Sequence, residues 1–201
     1  MTAKRQTEPI LPPRERIIAA AADLFQRQGI RGVGVEAIAE AAGTNKMTLY
    51  RHFASKDELI AEWARGIVRR KEAEWDELAA RHPNDAAGVL SEWSRRTAAK
   101  LAALEQRGSM LLNALAELPD PDHPARVVIQ EHKQREHRRV LKLCREAGFQ
   151  DPDLYANLFS LLIEGAHSCV QCTGMKRFGE DLVRLVDRMV ANTPAPAARR
   201  G

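Results

Sequence analysis

Three cysteines in 201 residues, Cys144, Cys169 and Cys172, are too few and too odd in number for a disulfide framework. The N-terminus has no apolar leader core, so reduced thiols in a cytoplasmic protein are expected. No apolar run reaches the roughly 18 residues of a membrane-spanning helix, so no membrane partner is expected. Aromatic residues are only 5%. No glycine-rich phosphate loop, nucleophile elbow or His-Glu-x-x-His pattern occurs, which argues against an enzyme and against a cofactor. No stretch alternates apolar and polar residues as a half-buried strand does. Cys169 and Cys172, with His167 beside them, raise a remote reading as a thiol or metal sensor. Their spacing falls within a predicted helix and lacks a second cysteine pair, so inert thiols and no metal are expected.

What is present is helical. The chain is 44% hydrophobic and 29% charged, as a globular protein is. Residues 1–11 read as a flexible basic arm. A first helix begins near Pro12-Pro13 and runs through Ile17, Ile18, Ala21, Leu24 and Phe25 until Gly29 stops it. A second spans roughly Val35–Ala42 after Gly34, Gly43 makes a turn, and a third runs from an Asn45 cap to Phe53. Ser55 and Glu58 form a capping box for a fourth helix reaching about Ala80, where His82-Pro83-Asn84-Asp85 breaks it. Further helices are predicted over about 86–106, 109–117, 125–147, 153–173 and 179–192, with a disordered tail at 194–201. The segment from Glu131 to Arg139 reads as a solvated face laced with pairs such as Glu131–Arg135.

Charge is uneven. The first 56 residues hold nine Lys and Arg against five acids, and the remainder holds 22 of each, so the whole net charge of +4 sits at one end. That is where a polyanion would bind. A short helix, a glycine turn and a second short helix form a right-angled corner, whose second helix can enter the major groove of DNA. Stepping about 100° per residue from Leu49 puts Phe53 on the core side and Met47, Thr48, Tyr50 and Arg51 on the far side. Lys46 heads the helix, where its ammonium and the free N–H groups of the first turn can meet a phosphate. Met47 and the Tyr50 ring suit a thymine methyl, and the Thr48 hydroxyl a base edge. His52 lies at the flank, and Lys56 can hold the neighbouring strand.

The stretch "VEAIAEAAGTNKMTLYRHFASKDELI" closely resembles the DNA-binding signature of the TetR family of bacterial transcriptional regulators. The matching residues are Ile38-Ala39, Ala42-Gly43, Lys46, Thr48-Leu49-Tyr50, His52-Phe53, Ser55-Lys56 and Glu58-Leu59. The resemblance implies an all-α fold. An N-terminal three-helix helix-turn-helix domain, residues 12–56, would be followed by a C-terminal helical ligand-binding and dimerisation domain, residues 57–193. It implies DNA contacts from Gly34, Val35, Thr44, Asn45, Lys46, Met47, Thr48, Tyr50, Arg51, His52 and Lys56. Two positions depart from the family pattern. Gly34 stands where many members place a threonine, leaving backbone N–H groups alone to meet a phosphate, and Met47 replaces a small residue.

The resemblance further implies a repressor released from a palindromic operator by a small effector, acting as a homodimer. "GSMLLNALAELPDPDHPAR" is similar to the ligand-domain segment of one branch of the family. Expected pocket residues are Trp93, Leu101, Leu104, Met110, Leu111, Phe159, Ile163 and His167, whose few charges favour an apolar or aromatic effector. Expected dimer contacts are Gly165, Ala166, Leu182, Leu185, Val186 and Met189. The fourth helix, starting at Lys56 and ending against the pocket, is the expected lever. Activation instead of repression stays open, as does an architectural DNA binder that ignores ligands.

Overall fold

The structure, a computed structural model, describes residues 11–103 and 108–193. The expected tail, the expected arm (Leu11 aside) and Leu104 lie outside the described residues. Within them the chain is all helical. In order come α1 (Pro13–Gln28), α2 (Val35–Ala41), α3 (Lys46–His52), α4 (Lys56–Arg81) and α5 (Ala86–Ala103). There follow α6 (Met110–Glu117), α7 (Pro124–Glu146), α8 (Pro152–Thr173) and α9 (Arg177–Ala191).

Local chemistry explains the first four boundaries. Proline occupies the first turn of α1, where its missing N–H goes unused. Ile17, Ala21, Leu24 and Phe25 then follow at helical spacing and are buried. The α2–α3 corner is closed by a Schellman motif. The Thr44 N–H donates to the Ala39 carbonyl and the Gly43 N–H to that of Glu40, both at 2.9 Å, with Gly43 at φ +61°. A side chain at Gly43 would strain that left-handed backbone. Asn45 accepts from the Thr48 N–H at 2.9 Å, and Ser55 from the Glu58 N–H at 3.1 Å.

The 26-residue α4 is the spine, about 39 Å long. Its first half, from Leu59 to Val68, joins a core with α1–α3, and that core continues into Leu111, Ala114 and Leu118 of α6 and beyond, and Ala125 and Ile129 of α7. Packing therefore does not break at residue 56, the expected domain boundary. The second half of α4, with Trp75 and Leu78, joins a core of α5, α7, α8 and α9.

Two expectations are corrected here. The segment from Glu131 to Arg139 is not solvated all round. His132 is fully buried against Glu72, with Nδ1 3.1 Å from its carboxylate, while Lys133 and Glu136 turn inward. The Arg135–Glu131 pair does form, at 3.8 Å. On α9, the stripe Leu182 and Val186 belongs to the chain's own core, with Met189 packed against it. α9 lies along α5, and Ala166 of α8 is buried in the same core. Of the expected dimer residues only Leu185 is exposed, with Gly165 half-buried and nothing near its Cβ position.

Candidate nucleic-acid interface and internal cavity

α3 has seven residues and a divided surface. Leu49 and Phe53 are fully buried, and Arg14 lies over the Phe53 ring with its guanidinium 5.3 Å from the centroid. Opposite them Met47 is 78% exposed and Tyr50 41% exposed, large apolar surfaces that a lone domain has no reason to present to water. Lys46, Arg51 and His52 are exposed beside them, and Thr48 is half-buried. Arg51 has no ion-pair partner among the described residues. The outward face is thus cationic, with apolar centres.

Other expected contacts sit as follows. Gly34 precedes α2 in an extended conformation with no side-chain cap, and Val35 is buried, so it offers only its backbone N–H. Thr44 and Asn45 border the same face in the turn. Lys46 is engaged by Glu36 at 2.6 Å, and this hydrogen bond lowers the Glu36 pKa and raises that of Lys46. Phosphate would have to displace that carboxylate. Lys56 points back to the α1–α2 loop, donating to the Ile30 carbonyl at 2.9 Å.

That loop has a second tether. Glu117, at the end of α6, accepts from the Arg31 N–H at 2.9 Å. A Cβ at Gly29, which has φ +77°, would sit 2.9 Å from the same carboxylate. Both α4 and α6 therefore hold the loop that leads into α2. From sequence α4 was expected to be the lever, with Lys56 on the DNA; neither tether to the loop was expected. The missed signal is Glu117, an acid closing an otherwise apolar helix.

A cavity of about 340 Å³ lies between α4, α5, α6, α7 and α8. Trp93, Met110, Leu111, Ile163 and His167 line it as expected. Leu101 and Phe159 do not: both are fully buried in the second core. The wall is also far more charged than an apolar pocket. Glu74 pairs with Lys100. Lys133 bridges Glu136, at 2.9 Å, and Glu164. Burial works against the Lys133 charge, yet these two carboxylates raise its pKa, and Lys133 in turn is the strongest influence holding Glu136 low against burial. Burial lowers the pKa of His167. The charges hid because they come from α4, α5, α7 and α8, and each alone resembles ordinary surface.

The cysteines form no site. Cys144 is buried, its thiol pushed up to about 12 by desolvation. Cys169 is half-buried and Cys172 exposed, one helical turn apart on α8. Among the described residues no group of three or more metal-ligating side chains gathers. Nor is any described helix long and apolar enough to cross a membrane.

Comparison with known proteins matches residues 17–63 to the bacterial regulatory proteins of the tetR family. The HTH-type transcriptional repressor KstR2 of Mycobacterium tuberculosis is 28% identical over 152 residues, 72% of each chain. A TetR-family transcriptional regulator from Streptomyces coelicolor superimposes with a TM-score of 0.84 at 27% identity, covering 90% of this chain and 95% of its own. A TetR-type transcriptional regulator from Streptomyces avermitilis is 30% identical, with a TM-score of 0.70 over 89% of this chain and 98% of its own.

Proposed function

The chain belongs to the TetR family of bacterial transcriptional regulators, and from that premise we propose that it is a homodimeric repressor released from a palindromic operator by a small molecule. The observation that carries DNA reading is the outward face of α3, where Met47, Tyr50 and Arg51 stand exposed on a helix fixed from behind by Leu49 and Phe53. A helix of this kind inserts into the major groove and reads base edges, while Lys46 and the backbone N–H groups of Val35 and Glu36 take phosphates. Arg51 has its guanidinium free for a guanine edge or a phosphate.

Two copies are needed to read two half-sites one turn apart, about 34–36 Å. Support for pairing comes from α8, where Leu154 and Leu161 are exposed, Leu161 at 69%, and Gly165 lies a turn further on. Leu185 of α9 adds to the exposed apolar set. Replacing Leu161 by Arg is expected to convert the dimer to monomer in sedimentation and to abolish operator binding; an unchanged dimer would remove α8 from the interface.

Release works as a population shift. The first turn of α6 walls the cavity and its last residue holds the α1–α2 loop, so a ligand that moves Met110 and Leu111 acts on Glu117 and thereby on the reading unit. Lys56 of α4 provides a parallel connection. Selection of bound sequences from random DNA tests the core of this reading. A palindrome is expected; binding without sequence preference would instead identify an architectural DNA binder. Operator titrations in the presence of small molecules test release.

A further inference from the structure

α4 lines the cavity through the stripe Ile67, Lys71, Trp75 and Leu78, at helical spacing, flanked by Arg70 and Glu74. Three members are what a buried face requires. The fourth is an amine. Of the other charged residues of the wall, Lys100 has Glu74, Lys133 has Glu136 and Glu164, and Arg96 has Glu77 and Glu92, while Arg70, which has no ion pair among the described residues, is exposed to solvent. Lys71 has no hydrogen bond or ion pair among the described residues, and Glu136 and Glu74 reach it only through space. Burial lowers its pKa, and the neighbouring ammonium of Lys133 adds to that effect. Lys71 is half-buried, and a cation partly withdrawn from water without a partner is costly. One turn along α4 the ring of Trp75 meets that of Trp93, with centroids 4.7 Å apart.

The geometry points to a ligand that carries one carboxylate on a flat aromatic or alicyclic body, with the carboxylate on Lys71 Nζ and the body against Trp75 and Trp93. This rests on the reading of the cavity as the effector site. A negative charge matches the unpartnered amine of Lys71, whereas a cationic ligand would be repelled by it and would have to compete with Lys100 and Lys133 for the wall carboxylates, although Glu164 Oε2 is buried without a hydrogen-bond partner. The volume of about 340 Å³ suits such a molecule and lies at the small end of ligand pockets. An uncharged member of the apolar or aromatic class expected from sequence would leave the half-buried amine without a partner.

The test uses the full chain and matched pairs of naphthalene- and biphenylcarboxylates with their primary amides, followed by calorimetry and tryptophan fluorescence. Acids are expected to bind at least about tenfold more tightly than amides. Lys71→Met keeps an unbranched, flexible side chain and removes the charge, so it should fold and erase the preference. Trp93→Ala should weaken acids and amides alike. Equal binding of acid and amide, a preference that survives Lys71→Met, or no binding by any member overturns the proposal. Parallel operator titrations separate it from the effector reading. Acids that bind through Lys71 without loosening operator DNA uphold the subsite and overturn the effector role. Amides that loosen operator DNA as well as the acids do overturn the subsite and leave that role standing.

Discussion

The reading corner and the cavity handle polar groups in opposite ways. In α3 apolar and polar residues part cleanly: Leu49 and Phe53 inward, Met47, Tyr50 and Arg51 outward. Around the cavity, charges are carried inside and matched across helices, as Lys133 of α7 is with Glu164 of α8. The first arrangement is a local property of one short segment. The second exists only once four helices are assembled. An interface for a charged polymer has to keep its groups in water until the polymer arrives. A pocket for a small molecule has to withdraw them, and each withdrawn charge then needs a partner.

The largest effect should come from breaking the rear of the reading corner. Phe53→Ala removes a fully buried ring and the surface beneath Arg14, and is expected to cost about 3–5 kcal/mol. Thermal unfolding would show it, with operator binding lost as a consequence. Tyr50→Ala tests the front of the same helix. Stability should stay within about 0.5 kcal/mol of wild type, while operator affinity falls about tenfold or more, roughly 1.4 kcal/mol. A variant that unfolds, or one that binds as wild type does, would erase the division of faces.

The cavity side has a pH signature near neutrality in two histidines. Burial lowers the pKa of both His132 and His167 below the ordinary 6.5. On acidification the unfolded chain takes up these protons first, so stability is full above about pH 7 and declines as pH falls through 6.5. Glu136 and Glu72 oppose the loss at His132, as does Glu164 at His167. The midpoint of thermal unfolding should fall between pH 7.5 and 5.5, and His132→Gln or His167→Gln should each flatten that fall. The smallest expected effect returns to the DNA face. Glu36→Gln releases Lys46 and deletes a negative charge beside the phosphates, so operator affinity should rise a few-fold with stability unchanged, as filter binding at moderate salt would show.

Legibility followed the same division. The Asn45 cap, the Gly43 turn and the Ser55 cap on the Glu58 N–H are contacts between residues at most five apart, and all were readable before the structure, although the Glu58 carboxylate pairs with Arg65 and does not close the expected box. Helix boundaries throughout fall within a few residues of those predicted from periodicity and breakers. The apolar stripe of α9 was also readable, but not what it faces: Leu182 and Val186 meet α5 and the chain's own core. Periodicity names a face that must be buried and is silent on which surface buries it. The tether from Glu117 to the Arg31 N–H spans 86 positions, and no local pattern announces it.

By itself the sequence determined the helices, the corner and its two-faced reading helix, because caps, turns and 3.6-residue periodicity are short-range chemistry. Only the tertiary structure decided that Lys71 stands unpartnered in a cavity wall, that Lys133 lies between two carboxylates and that α6 grips the α1–α2 loop. Burial and pairing are properties of neighbours, and those neighbours are brought together by packing across helices far apart in the chain.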